Sequence, residues 1–178
     1  TNDRASLVIS QLLHARLVQL DHQTQEIEPA LAERWTLAAD ERTYTLTLRR
    51  GLTFSDGAPF TTDDVVFTFQ ALYDPRVASP LAGTFLVGGQ PIAVRKVDQA
   101  TVVLTFPAPY GPGLRLLNSL PILPAHKLRA ALEAGTFREA WTVTTPPGEL
   151  TGLGPFVLRA YARGERLELA RNPRYAAR

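Results

Sequence analysis

The sequence contains no cysteine and no methionine. Without cysteine there is no disulfide, no thiolate metal site and no cysteine nucleophile. That absence does not place the chain in either redox compartment, because a thiol-free protein suits both. Without methionine, even at position 1, the 178 residues read as a processed chain or a piece cut from a longer one. Long apolar runs are also missing: none reaches 18 residues, so no segment is expected to cross a bilayer as a helix. Thr1-Asn2-Asp3-Arg4 lacks the charged and apolar regions of a signal peptide, so any targeting segment was never present or is missing here. Charge of one sign is not in excess either. Nineteen Lys plus Arg against 17 Asp plus Glu leave +2, and the arginines are scattered, Arg49-Arg50 being the longest run. Nucleic-acid binding would need a clustered basic stripe, and none is present.

What remains is an ordinary globular composition. With 45% hydrophobic and 20% charged residues, the chain can build one domain, or two small subdomains, around a sizeable core. Apolar spacing predicts a helix over 6–20, capped by Ser6 and striped by Leu13, Leu17 and Leu20. After the polar break at 21–25, Ile27 to Trp35 predicts a short helix or an extended packing segment. Thr43 to Leu48 alternates as a half-buried strand, and Phe54-Ser55-Asp56-Gly57 makes a turn. The clearest helix start follows, with Thr61 or Thr62 as cap, Asp63 and Asp64 in the first turn, and Asp74-Pro75 as the stop. Residues 79–90 read as an irregular loop. Ile92 to Val97 and Thr101 to Phe106 predict two strands around Asp98-Gln99. A short helix near 114–118 precedes a longer one from Ala125 to Ala134, opened by Pro124 and closed by Gly135. The Pro- and Gly-rich stretch 142–152 is the best internal boundary. Beyond it, 156–161 and 166–170 predict a hairpin around Arg163-Gly164.

Candidate chemistry is sparse. Asp63 and Asp64 could form an acid/base pair, but adjacent helical residues point apart, and a helix N-terminus favours negative charge. His14, His22 and His126 share no metal-ligand spacing, so no metal is expected. Gly152-Leu153-Gly154 lacks the next glycine of a dinucleotide fingerprint, and Pro155 stands where a helix should open. Gly88-Gly89 is followed by no phosphate-loop Lys, and no nucleophile elbow occurs. No enzyme and no cofactor are implied. Aromatic residues such as Trp35, Tyr73, Phe137, Trp141 and Tyr161 have core packing as their ordinary role. Phe85 and Tyr110, in Pro/Gly-rich loops, have the better chance of facing a ligand.

Residues 52–67, LTFSDGAPFTTDDVVF, resemble a signature of the extracytoplasmic solute-binding proteins of ABC importers, the peptide- and nickel-binding family 5. Thr62 stands where that family usually has Ala, and Asp63 where Glu is common. Further similar segments follow in the family's order: PALAERW at 29–35, YTLTLRRG at 44–51, Asp74-Pro75 with Ser79-Pro80, and PILPAH at 121–126. TGLGPF at 151–156 has Leu153 in place of the usual Thr, and RNPRY at 171–175 precedes Ala176 where Trp is usual. Each motif alone is modest; the ordered set covers nearly the whole chain.

The resemblance implies an α/β (α+β), periplasmic-binding-protein-like fold, with mixed sheets and flanking helices, of which this chain supplies the N-terminal lobe only. It implies residues 1–34 as the first part of the lobe I domain, 35–149 as an inserted subdomain, and 150–178 as the return to lobe I. The second lobe, with the family's usual partners for a peptide's charged ends, is absent. It further implies non-catalytic capture of oligopeptides, dipeptides or a related small solute, by cleft closure, for delivery to the permease subunits of an ABC transporter. The setting would be periplasmic or extracytoplasmic, meeting the membrane only through the transporter or a lipid anchor outside this chain. Ligand contacts on this side would come from loops like the one at 79–85 and from the segment following the first helix. Leu81 and Phe85 stand where larger peptide binders often have Tyr, and Tyr110 joins them as a candidate. Two alternatives stay open: the ligand-sensing domain of a transcription regulator resembling the same family, and, with less behind it, a hydrolase.

Overall fold

The computed structural model describes residues 4–142, 144–162 and 165–175, with the backbone alone for 4–8. The alternation in Thr43–Leu48 (β4) buries Tyr44, Leu46 and Leu48 on one face. Thr101–Thr105 (β8) does the same with Val102 and Leu104. These two strands pair antiparallel, Leu46 opposite Val102 and Tyr44 opposite Leu104, at the centre of a four-stranded sheet. Ala32–Leu37 (β3) and Ala93–Lys96 (β7) form its edges. Both central strands carry their apolar residues at every second position because strand side chains alternate between faces. The segment 27–35 is therefore extended, not helical: Ile27–Pro29 (β2) runs into β3.

Thr62–Tyr73 (α2) covers the buried face, packing on β7 and β8 with Val65 and Phe69 in the core. Its start shows why the sequence signal was strong. Thr61 is the cap: its Oγ1 accepts from the Asp63 N–H, and Asp64 Oδ2 accepts in return from the Thr61 N–H at 2.9 Å. Asp64 Oδ1 takes the N–H of Ala125 at 2.9 Å, so one buried carboxylate joins two helix starts. Asp63 points elsewhere and pairs with Lys96 at 2.7 Å. The two acids thus share no site. Burial raises the Asp64 carboxyl above its ordinary value despite the N–H groups of Thr61 and Ala125. Asp64→Asn, which has one acceptor where two are needed, is expected to lose about 2 kcal/mol of stability, read as a lower urea midpoint. An unchanged midpoint would show that the two N–H groups find other partners.

Ala125–Ala134 (α4) spans the expected residues, and Gly135 closes it in the left-handed conformation, φ 76°. It packs on α2 through a second apolar cluster of Phe67, Ala71, Leu128 and Leu132, against which Phe137 and Trp141 lean. Gly113–Leu117 (α3) is the short helix expected near 114–118. The stretch 79–90 holds more order than a loop. A 3₁₀ turn at Gly83–Phe85 leads into a small ladder of Leu86–Val87 (β5) and Gln90–Pro91 (β6).

The first expected helix is the main correction. Arg4–Leu13 (α1) stops seven residues before Leu20, and Arg4 already belongs to it, so Ser6 is not its cap. Beyond it the chain is extended, because its backbone is bonded to distant segments: the Ala15 carbonyl to Ile122, Arg16 to Leu31 and Leu17 to Ala32. Val18–Leu20 (β1) then pairs antiparallel with β2. At the other end, Phe156–Ala162 (β9) and Arg166–Arg171 (β10) form the expected hairpin, seated against α1. Its turn, Arg163-Gly164, lies outside the described residues, as do Thr1-Asn2-Asp3 and Ala176. Among the described residues no helix is long and apolar enough to cross a membrane.

Candidate functional site

The end of α1, the β1–β2 pair and the segment after α3 enclose a groove of about 790 Å³. Its lining residues are mainly of polar type, Gln11, Arg16, Gln19, Asp21, His22, Glu28, Asn118 and Ser119, with Leu20, Leu81 and Pro121 as apolar ones. Local bonding builds each wall. Asp21 Oδ1 accepts the N–H groups of Gln23 at 2.6 Å and Thr24 at 2.9 Å, which turns the chain from β1 to β2. Those N–H groups, Thr24 first, hold its carboxyl below the ordinary value. Asn118 Oδ1 accepts the Leu20 N–H at 3.2 Å, tying the α3 side to β1. Across the β1–β2 ladder, Gln19 donates to Glu28 at 2.9 Å. Such a groove, with oriented amides, both charge signs and a few apolar faces, can hold a small polar solute by hydrogen bonds and partial burial. Among the described residues no group of three or more His, Asp or Glu is placed to hold a metal ion.

The three sequence candidates do not come together. Leu81 lines the groove, half-buried. Tyr110 is half-buried away from it, stacked on Phe106 with ring centroids 6.0 Å apart. Phe85 is fully buried, edge-on to Phe69 at 6.1 Å, and its carbonyl accepts the Tyr73 hydroxyl at 2.8 Å. Its side chain has no open face for a solute. The aromatic simply turns inward, because the 3₁₀ turn at 83–85 sets it over the core between α2 and the β5–β6 ladder.

Arg16, Gln19, Glu28 and Asn118 escaped the sequence reading, whereas Asp21 opens the segment after the first expected helix, which the resemblance implied. A continuous helix over 6–20 would have set Arg16 and Gln19 on a helical face, away from any groove. No Gly or Pro marks the break after Leu13; only the long-range backbone bonds at 15–17 reveal it.

Elsewhere in the fold, the Asp-Gly turn of the 52–67 run works as a tie. Asp56 Oδ2 sits 2.8 Å from His126 Nε2, 3.6 Å from Lys127 Nζ and 3.4 Å from the Thr151 hydroxyl. Three separate segments therefore meet at one carboxylate. Burial works to raise the Asp56 carboxyl, but His126, the Ala58 N–H and the charge of Lys127 outweigh it and hold it below the ordinary value. A depressed carboxyl contributes stability that is present above its unfolded value, roughly 3.9, and lost as pH falls through the lower folded value. Asp56→Asn is expected to flatten the acid limb of the stability curve, measured by urea unfolding between pH 2 and 6, about. An identical limb in the variant would remove Asp56 as its source.

Comparison with known proteins places this geometry. Residues 26–178 match the model of the bacterial extracellular solute-binding proteins, family 5. A probable ABC transporter-binding protein of Deinococcus radiodurans is 34% identical over 154 residues, covering 84% of this chain and 26% of that one. The periplasmic oligopeptide-binding protein OppA of Escherichia coli is 33% identical over 163 residues, covering 83% and 28%. The crystal structure of the ABC transporter substrate binding protein CtaP of Listeria monocytogenes superimposes with a TM-score of 0.81 at 30% identity. That match covers 98% of this chain and 34% of CtaP. The chain thus spans about a quarter to a third of the length of these relatives, and its fold is that of their periplasmic-binding-protein-like N-terminal lobe. This chain belongs to the family 5 bacterial extracellular solute-binding proteins.

Proposed function

We propose that these residues are part of a substrate-binding protein that captures a peptide or related small solute outside the cytoplasm and delivers it to an ABC transporter. The observation that carries this reading is the superposition of 98% of the chain on an ABC transporter substrate binding protein. The oligopeptide-binding relative points to peptide as the solute class. The action is non-catalytic: a solute that contacts two lobes favours the closed form by its differential affinity for it. The permease subunits are the partners, and the membrane is met through them.

Within this reading, residues 1–34 and 150–178 belong to one wall and 35–149 to a subdomain inserted in it. The sheet β3–β4–β8–β7 with α2 and α4 supports that division, since only the first three residues of β3 fall before 35. So does the seating of β9 on α1. Leu81 is the contact residue of this reading, since it lines the groove, whereas Phe85 and Tyr110 lie outside the groove's lining.

Calorimetry with di- to pentapeptides tests the proposal. The 178-residue chain is expected to bind them no tighter than about 1 mM, the affinity of only some 4 kcal/mol that a single wall can supply. The whole product of its gene is expected to bind at least one of them in the micromolar range. Micromolar binding by the 178 residues alone would overturn the two-wall account. Absence of binding by the whole product would overturn the peptide assignment.

A further inference from the structure

The groove holds one charge that the protein leaves without a partner. Arg16 sits between Ala15 and Leu17, both buried in the core, and its own side chain leaves the core to line the groove, half-buried. Its guanidinium makes no hydrogen bond and no ion pair with any described residue. The inner nitrogen, Nε, is shut off from solvent. The outer pair, Nη1 and Nη2, is not closed off in that way, so it is the end that a solute can meet. We propose, resting on the reading that this groove takes up a peptide, that Arg16 is the residue of this wall that holds a carboxylate of the bound peptide, through Nη1 and Nη2.

The acids of the groove do not answer this charge. Asp21 Oδ1 is taken up by the N–H groups of Gln23 and Thr24, and Glu28 by the Gln19 amide. Neither pairs with Arg16. Burial lowers the Arg16 pKa below the ordinary arginine value, as expected of a charge that has lost water and gained no counter-ion. Withdrawing a charge from water is unfavourable unless a partner offsets it. No described residue supplies that partner, so an anionic group of the solute is the one that can. A carboxylate fits best, because its two oxygens match the parallel donors of a guanidinium edge. A dianion such as phosphate would meet the repulsion of Asp21 and Glu28, which line the same groove. In a peptide the carboxylate has two sources, the free C-terminus and an Asp or Glu side chain.

Calorimetry on the whole gene product tests this with alanine tripeptides carrying Glu or Gln at one position, each as the free acid and as the C-terminal amide. Removing the carboxylate that Arg16 holds is expected to weaken binding about tenfold or more, the effect of a lost charge-assisted bond. Weakening on amidation assigns the C-terminal carboxylate, and weakening on exchange of Glu for Gln assigns a side chain. In Arg16→Gln the same ratio is expected to fall to about one, since the two groups are coupled only through their contact. Arg16→Met, which keeps the volume of the stem without the charge, is expected to behave alike and serves if the Gln variant does not fold. Peptides that bind the parent with neither preference, or a preference that survives in the folded Arg16 variants, would overturn the proposal and leave the peptide reading standing. Absence of binding by every peptide of the set would overturn both.

Discussion

Alanine at Gly152 is expected to destabilise the chain by more than about 4 kcal/mol, or to prevent folding, which puts it among the largest single-residue effects proteins show. A Cβ built there falls 1.9 Å from the carbonyl oxygen of Leu13 and 2.9 Å from its carbon. Both contacts are backbone, so no side chain can swing aside. Nor can the segment withdraw freely, because the Gly154 N–H donates to that same Leu13 carbonyl at 2.9 Å and the Ser55 N–H donates to the Gly152 carbonyl at 3.0 Å. Gly154 is almost as confined, with Leu12 O at 2.3 Å from its built Cβ. Gly148→Ala, where nothing lies within 4 Å, is the control. Urea unfolding of the two variants separates the cases: a Gly152→Ala midpoint equal to that of Gly148→Ala would show that the α1 end can move at little cost. The close approach also explains what the Gly-Leu-Gly run is for. It lets the strand leading to β9 cross the last turn of α1 and supply the donor that the final carbonyls of the helix lack.

That contact marks where the sequence could be read and where it could not. The capping box at Thr61–Asp64, the alternation in β4 and β8, and the Pro124-to-Gly135 bracket around α4 are local. Each is written within one turn or one strand, so spacing and residue type suffice. The end of α1 is settled by non-local pairing: Leu13 meets Gly154, Ala15 meets Ile122, and Arg16 meets Leu31. The local pattern at 13–20 keeps a helical leucine spacing through that region, and tertiary hydrogen bonding overrides it. The candidate site suffered accordingly. Gln19 belongs to β1 and Arg16 to the irregular segment before it, which together replaced the expected helix, and Asn118 and Glu28 reach the groove only once β1 lies between them. Leu81 was legible through the resemblance. Phe85 was named for the same reason, but a loop aromatic can turn inward as readily as outward, and only packing decides which.

Phe85→Ala is therefore expected to act on stability, at about 3–5 kcal/mol, the usual cost of emptying a buried aromatic site. Against a typical total of about 5–15 kcal/mol, that is about a fifth or more of what holds a domain of this kind together. The ring is packed edge-on to Phe69 from α2, and the Tyr73 hydroxyl both donates to the Phe85 carbonyl and accepts the Ile92 N–H at 3.0 Å. Emptying the site would thus loosen α2, the 3₁₀ turn and the β5–β6 ladder together. Leu81→Ala, at a half-buried position on the groove wall, is expected to cost well under half as much, since less apolar surface is lost. The pair of variants distinguishes a supporting residue from a contact residue. In the whole gene product, Leu81→Ala should weaken peptide binding with little change in unfolding midpoint, and Phe85→Ala should lower the midpoint first. A Phe85→Ala protein that unfolds like the parent and loses only peptide affinity would mean that the ring leaves the core to meet the solute, and that the loop at 79–85 rearranges when the cleft closes.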